Sequence, residues 1–143
     1  MKTQKKLIMI VDDSLMDRLI LAKVLNEEVM DVEVLMKEDA ASALAYLKAN
    51  QNDIRKIPQT IFLDINMPKM SGIEFMEEFK TLPLILRNHC QVFVLTGSES
   101  EIEQQIVNAD PNVSKVFKKP LMQVDLLELD LGVLSNVKRF VMG

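Results

Sequence analysis

The fold is decided by the stretch Leu7-Ile8-Met9-Ile10-Val11-Asp12-Asp13, in which five apolar residues lead into two carboxylates. A second stretch, Thr60-Ile61-Phe62-Leu63-Asp64, ends in a third carboxylate. Near-continuous apolar runs are typical of parallel strands that are covered on both faces, so both runs are predicted to be central strands. The carboxyl ends of parallel strands lie at one edge of a sheet, where ligands bind. Asp12, Asp13 and Asp64 can therefore form one carboxylate cluster from two distant segments of the chain.

Short apolar runs alternate with longer segments of helical period along the rest of the chain, which is the pattern of βα units around a parallel sheet. The strand predictions cover residues 7–11, 32–36, 60–64, 91–96 and 115–118. The helix predictions cover residues 14–28, 40–50, 72 to the interruption at Pro83, 99–109 and 122–140. We expect one α/β domain over residues 1–143, with no separate output domain.

Capping residues and apolar spacing indicate how the first two helices are placed. Asp13 or Ser14 is predicted to cap the first helix, and Asp39 to cap the second. The first helix is expected to group its apolar residues on one face, at three-to-four spacing. These residues are Leu15, Leu19, Ala22, Leu25 and Val29. The polar segment 51–56 predicts a loop before the third strand.

Composition and charge argue against several classes of protein. The net charge is -4 and no basic block is present, so direct binding of nucleic acid is not expected. No apolar stretch approaches the ~20 residues that span a bilayer. Cys90 is the single cysteine and cannot form an internal disulfide. We expect a soluble, cytoplasmic protein without a membrane anchor.

Four features resemble the receiver domains of two-component response regulators. They are Asp12-Asp13 after the first strand, Asp64-Ile65-Asn66-Met67-Pro68-Lys69-Met70-Ser71-Gly72 after the third, Thr96 at the end of the fourth, and Lys119-Pro120 at the end of the fifth. Each feature alone is weak, but together they occur in order over nearly the whole chain. The resemblance implies a flavodoxin-like five-stranded parallel sheet in the order 2-1-3-4-5, with five helices on both faces.

The resemblance also implies a role for each site residue. Asp64 is expected to be the phosphoacceptor, Lys119 to contact the phosphoryl group and Thr96 to be the switch residue. Mg²⁺ is the expected cofactor, because it prefers octahedral oxygen ligands and accepts carboxylates together with phosphate oxygens. Its expected ligands are Asp12 through water, Asp13, Asp64 and the backbone carbonyl of Asn66. The Asn66 side chain is expected to tune the rate of dephosphorylation.

Each of these residues also has a simpler interpretation. Taken singly, Asp12 and Asp13 could be solvated capping acids, and Asp64 a turn residue. Thr96 could be a helix cap, and Lys119 a surface charge. Only their joint occurrence at strand ends predicts a site. One position departs from the receiver pattern, because many receivers carry an aromatic residue three positions before the final lysine, where this chain has Val116 followed by Phe117.

The expected function is that of a stand-alone receiver. It would take a phosphoryl group from a sensor histidine kinase or a histidine phosphotransfer protein and act on a downstream protein target. It would not be an enzyme beyond its own phosphotransfer and dephosphorylation. Three alternatives stay open: a phosphorelay intermediate, a docking module that no longer uses phosphate, and a Mg²⁺-dependent phosphatase of the haloacid dehalogenase type. The last family places Asp-x-Asp after its first strand, whereas this chain has Asp12-Asp13-Ser14.

Overall fold

The computed structural model describes residues 5–97, 101–126 and 129. In this part of the chain, five parallel strands form one sheet in the order β2-β1-β3-β4-β5, which confirms the predicted topology. The strands are β1 Lys6–Val11, β2 Val32–Lys37, β3 Thr60–Asp64, β4 Gln91–Thr96 and β5 Val113–Lys118. The helices are α1 Leu15–Glu28, α2 Ala40–Ala49, α3 Gly72–Phe79, α4 Leu84–His89, α5 Glu101–Asn108 and α6 Gln123–Leu126.

Strands β1 and β3 lie side by side within the sheet, which confirms the inner positions that their apolar composition predicts and the adjacency that the receiver resemblance implies. Val11 pairs with Leu63 in the parallel register. Every residue of β3 is buried, because the strand has a neighbour on each side and helices on both faces. Asp12 directly follows Val11 in the chain and Asp64 directly follows Leu63, so both carboxylates leave the sheet at the same level.

Two apolar clusters cover the two faces of the sheet. Met9 and Val11 face the cluster that helices α2 to α5 complete, and Ile8 and Ile10 face the cluster that α1 and α6 complete. This alternation follows from the two-residue period of a strand. The helices therefore lie on both faces, and the carboxyl edge of the sheet stays open between them.

The apolar stripe predicted for α1 is partly wrong. Ala22, Leu25 and Val29 are buried as expected, but Leu15 is 60% exposed and Leu19 is 49% exposed. Helical spacing shows which residues share a face, but it does not show where along the helix that face meets the sheet. The first turns of α1 extend beyond the core and leave their apolar side chains in solvent.

The predicted capping residues are found at both of the first two helices. The Ser14 side chain accepts a hydrogen bond from the Asp17 N–H at the start of α1, so Ser14 and not Asp13 is the cap. The Asp39 side chain accepts a hydrogen bond from the Ser42 N–H at the start of α2. Asp13 is thus left outside the cap and is exposed to solvent.

The segment predicted as one helix from residue 72 to Pro83 ends earlier, and a further helix follows it. Helix α3 ends at Phe79, and Pro83 takes the N-cap position of α4. Proline stops a preceding helix but suits a helix start, because its φ is already fixed and its missing N–H would have no partner there. The sequence prediction considered only that proline stops a helix, and not that it can begin one. A short 3₁₀ helix, Ile54–Lys56, also lies in the predicted loop.

Differences in the described residues from 101 to 118 are small. Strand β5 starts at Val113, two residues before the prediction, because a register shift lets Val92 pair with Val113 and Phe93 with Lys115. The helix predicted over 99–109 is described from Glu101 onwards. Most of the helix predicted over 122–140 lies outside the described residues. No helix in the described part has the length and apolar character of a bilayer-spanning segment.

Candidate functional site

Three carboxylates meet at the carboxyl edge of the sheet. One oxygen from each of Asp12, Asp13 and Asp64 lies within 4.8 Å of the others. Asp12 and Asp64 are buried, whereas Asp13 is exposed. Like charges this close disfavour one another unless a cation lies among them, and oxygen ligands suit a hard divalent ion. The structure thus brings together the three acids that the sequence predicts.

The beginning of α1 holds Asp12 in place. The Ser14 N–H donates a hydrogen bond to Asp12 Oδ1 at 2.9 Å, and Arg18 Nη1 donates to the Asp12 backbone oxygen at 2.7 Å. The Asp12 atoms that accept these hydrogen bonds are Oδ1 and the backbone oxygen. The other carboxylate oxygen, Oδ2, is left to contact Lys119 in the site.

Asp64 is buried but remains mostly ionised at neutral pH. Its Oδ1 accepts a hydrogen bond from the Asn66 N–H at 3.1 Å. Burial raises the pKa of Asp64 to about 6, although this hydrogen bond and the charge of Lys119 act in the opposite direction. The charges of Asp12 and Asp13 raise the pKa further. Asn66 itself is exposed, at the rim of the site.

Gly72 sets the path of the loop that follows Asp64. Its N–H donates a hydrogen bond to the Ile65 oxygen at 2.9 Å. A Cβ at this position would lie 2.8 Å from Ile65 Cα and 2.9 Å from the Asp64 oxygen, so only glycine allows the approach. The sequence marks Gly72 as part of a motif, but this packing against the backbone of Asp64 was not predicted.

Lys119 points inward over the carboxylates. Its Nζ lies 2.7 Å from Asp12 Oδ2, 2.9 Å from Asp17 Oδ2 and 3.5 Å from Asp64 Oδ2. Burial acts to lower the pKa of Lys119, but the hydrogen bonds to the first two acids and the nearby negative charges outweigh it and hold the pKa above its ordinary value. The ammonium group is therefore charged at any ordinary pH. The Lys119-Pro120 peptide bond is cis.

Asp17 is a site residue that the sequence reasoning missed. It lies in the first turn of α1, where acids are common because they favour the positive end of the helix dipole. Because an acid at this position needs no further explanation, the sequence reasoning did not indicate its contact with Lys119. A signal was present: a helix starting directly after Ser14 places its first turn at the same sheet edge as the predicted site.

Thr96 ends β4 close to the other site residues. It is buried, and its backbone oxygen accepts a hydrogen bond from the Lys119 N–H at 2.9 Å. The residue before it, Leu95, pairs with Asp64 in the sheet. The structure therefore places Thr96 at the same edge as the acids. An ideal Cβ on Gly97, the next residue, would meet no atom within 4 Å.

The two residues at the unusual position on β5 face opposite sides of the sheet. Val116 packs against the cluster beneath α2 to α5. Phe117 is buried in the other cluster, where its ring lies at 65° to that of Phe93 with a centroid distance of 6.0 Å. Phe117 therefore does not take the place of an aromatic residue at position 116.

The comparisons with known proteins agree with this geometry. Residues 8–129 match the family model of the response regulator receiver domain. The response regulator Rcp1 of Synechocystis sp. (strain ATCC 27184 / PCC 6803 / Kazusa) is 32% identical over 133 residues, which cover 91% of this chain and 87% of Rcp1.

Solved structures of response regulators also align with this chain. The crystal structure of the Mn(2+)-bound form of response regulator Rcp1 aligns with a TM-score of 0.69 and 31% identity, covering 91% of this chain and 92% of that one. The response regulator receiver protein from Dyadobacter fermentans DSM 18053 aligns with a TM-score of 0.75 and 28% identity, covering 86% and 93% of the two chains.

Proposed function

The chain belongs to the response regulator receiver domains of two-component signalling, and we propose that Asp64 is its phosphoacceptor. Receiver domains are mostly signalling domains rather than enzymes, and they interact with histidine kinases. The observation that carries the proposal is the position of the Lys119 ammonium, 3.5 Å from Asp64 Oδ2 and beside two further acids. A cation beside an ionised carboxylate can stabilise the negative charge that a transferred phosphoryl group brings.

Transfer would move the phosphoryl group from a phosphohistidine of the donor to Asp64. An Asp64 oxygen forms a bond to phosphorus while the bond between phosphorus and the imidazole nitrogen of the donor breaks. The nitrogen keeps the electron pair, and the ring takes up a proton, so the donor leaves as neutral imidazole and an acyl phosphate remains on Asp64. Lys119 is placed to donate a hydrogen bond to a phosphoryl oxygen, which offsets the added negative charge.

We also propose that the acid cluster holds Mg²⁺. The donor set fits, because Asp12, Asp13 and Asp64 offer oxygens within 4.8 Å of one another, and the Asn66 backbone carbonyl is a further candidate ligand. Bound there, the ion would supply positive charge against the carboxylate and the phosphoryl group. Receiver domains typically bind a metal ion, and the Mn(2+)-bound form of the similar Rcp1 supports a divalent ion here.

The remaining parts of the proposal concern the response to phosphorylation. The acyl phosphate carries a charge of about -1.5 to -2 at pH 7 where the Asp64 carboxylate carried one, and we expect the Thr96 hydroxyl to turn towards it. Thr96 and Lys119 are joined by a backbone hydrogen bond, so a movement of one affects the other. Asn66 would control access of water to the acyl phosphate. A changed surface would then be recognised by a protein target.

The phosphoryl donor would be a sensor histidine kinase or a histidine phosphotransfer protein. A single receiver domain over residues 1–143, acting in the cytoplasm, is part of the same proposal. Transfer of the phosphoryl group to a second histidine protein would distinguish a phosphorelay intermediate from a regulator that binds a target directly.

The proposal is tested by incubating the protein with acetyl phosphate and Mg²⁺ and measuring its intact mass. We expect a phosphate adduct on the wild type and none on Asp64→Asn. Asp31→Asn is a matched control, since Asp31 has a positive φ that asparagine adopts readily and lies on the surface. It should be phosphorylated like the wild type. An adduct on Asp64→Asn, or none on the wild type, would refute the assignment.

A further inference from the structure

Asp17 contacts the ammonium group of Lys119 but lies outside the cluster of Asp12, Asp13 and Asp64. Its Oδ2 accepts a hydrogen bond from Lys119 Nζ at 2.9 Å, whereas Nζ lies 3.5 Å from Asp64 Oδ2. The Asp17 side chain is 44% exposed to solvent. Surrounding side chains therefore do not fix its position, and the hydrogen bond to Lys119 helps to hold it. The phosphoacceptor chemistry alone assigns no role to this acid.

The Lys119 ammonium is shared among several acceptors. It has three N–H donors, and it makes hydrogen bonds to Asp12 at 2.7 Å and to Asp17 at 2.9 Å. A phosphoryl oxygen on Asp64 would have to attract the same cation while both acids hold it. Asp12 belongs to the acid cluster and is buried, whereas Asp17 reaches the ammonium from the first turn of α1.

Open space adjoins Lys119. A cavity of about 230 Å³ borders it, and Asp12, Asp17, Ile20 and Pro120 are among the residues that line this cavity. The position of Lys119 is therefore set by its charged contacts rather than by tight packing of its terminal group.

We propose that Asp17 is a positioning residue that draws the Lys119 ammonium towards α1 and so weakens its interaction with a phosphoryl group on Asp64. This inference rests on the proposed function, because it requires a phosphoryl group at that position. Asp17 slows the phosphorylation of Asp64. Its removal strengthens the hold of Lys119 on the incoming group, since one carboxylate no longer competes for the cation.

The substitution Asp17→Asn tests charge with little change in shape. The hydrogen bond that Asp17 gives to the Ser14 cap comes from its backbone N–H and is kept in the variant. Helix α1 is anchored further along by Leu21, Ala22 and Leu25, which are buried. The variant is therefore expected to fold as the wild type does.

The primary experiment measures the initial rate of phosphate uptake from acetyl phosphate at a fixed Mg²⁺ concentration by intact mass. We expect Asp17→Asn to be phosphorylated about two- to fivefold faster than the wild type, the range that one partly exposed ion pair represents. Glu27→Gln is the matched control. Glu27 is exposed on the same helix and its substitution changes the net charge equally, so it should leave the rate unchanged. An unchanged or lower rate for Asp17→Asn overturns the inference.

A second comparison asks whether Asp17 acts through Lys119. In a Lys119→Ala background, adding Asp17→Asn should no longer accelerate phosphate uptake. A persistent acceleration would mean that Asp17 merely repels the anionic donor, which contradicts the proposed role.

A measurement without metal or phosphate isolates the contact itself. The side-chain ¹⁵N resonance of Lys119 should shift in Asp17→Asn and stay in place in Glu27→Gln. An unshifted resonance in Asp17→Asn overturns the inference. If the wild type takes up no phosphate at all, the proposed function fails and the inference fails with it. If the wild type is phosphorylated as fast as Asp17→Asn, only the role of Asp17 is lost.

Discussion

Lys119 and Asp12 form an ion pair of 2.7 Å across 107 positions of the chain. The pair joins the ends of β5 and β1, which are not neighbours in the sheet, because β3 and β4 lie between them. Asp12 is 3% exposed and Lys119 is 21% exposed, so water screens their interaction poorly. The lysine thus places a positive charge among three acids, Asp12, Asp17 and Asp64.

Substitution of Lys119 by alanine should destabilise the metal-free protein at pH 7. The change leaves Asp12 and Asp64 as buried charges without their cation, and breaking such a pair costs about 3 kcal/mol. Urea unfolding with a chelator present measures the loss. Lys118→Ala is the control, because Lys118 is exposed on the same strand and should be nearly neutral. Equal losses in the two variants would contradict the central position of Lys119.

The raised pKa of Asp64 predicts a particular dependence of stability on pH. Because burial raises this pKa from 3.8 to about 6, the folded protein binds the proton more tightly than the unfolded chain does. The free energy of unfolding of the metal-free protein should therefore fall as the pH rises from about 4 to 6 and then level off. The total fall is of the order of 3 kcal/mol, since one pKa unit is worth about 1.4 kcal/mol.

Asp64→Asn should remove this contribution and be more stable than the wild type at pH 7 without metal. Urea unfolding between pH 4.5 and 7.5, compared for the two proteins, is the measurement. If the variant keeps the slope of the wild type between pH 4.5 and 6, another group is responsible.

The sequence predicts the sheet and the acid cluster well, for two reasons. The apolar runs of β1 and β3 favour central positions in a parallel sheet, and the strand order that the receiver resemblance implies makes these strands neighbours, so the acids that directly follow them meet. Register and strand ends thus determine the positions of Asp12 and Asp64. No such constraint fixes the end of a long side chain, and for that reason the contact between Asp17 and Lys119 could not be predicted.

Other differences have equally local causes. The exposure of Leu15 and Leu19 depends on how far α1 extends past the sheet, which apolar spacing does not encode. The start of α4 at Pro83 depends on a choice between two effects of proline, and the chain around it decides that choice. In both cases the residue types are compatible with more than one local structure, and tertiary packing selects one.

Gly72→Ala should perturb both stability and the site. The added methyl group would lie 2.8 Å from Ile65 Cα, against backbone that cannot move without shifting Asp64. Overpacking of this kind typically costs 1–3 kcal/mol, so we expect a loss of about 2 kcal/mol together with slower phosphate uptake from acetyl phosphate. Gly97→Ala is the matched control, because no atom lies within 4 Å of a Cβ there, and it should be close to neutral. The interpretation of Gly72 is wrong if the two variants behave alike.

Asp13→Asn should weaken Mg²⁺ binding with little effect on the fold. Asp13 is the exposed member of the acid cluster. Its substitution removes the negative charge of one expected metal ligand without disturbing the core. A ligand that binds only the folded state stabilises it in proportion to the logarithm of its concentration. The melting temperature of the wild type should therefore rise with added Mg²⁺, and the curve for Asp13→Asn should need about tenfold more ion. Asp31→Asn, which changes the same charge away from the site, should follow the wild type. Superimposable curves for Asp13→Asn and the wild type would show that this carboxylate does not contact the ion.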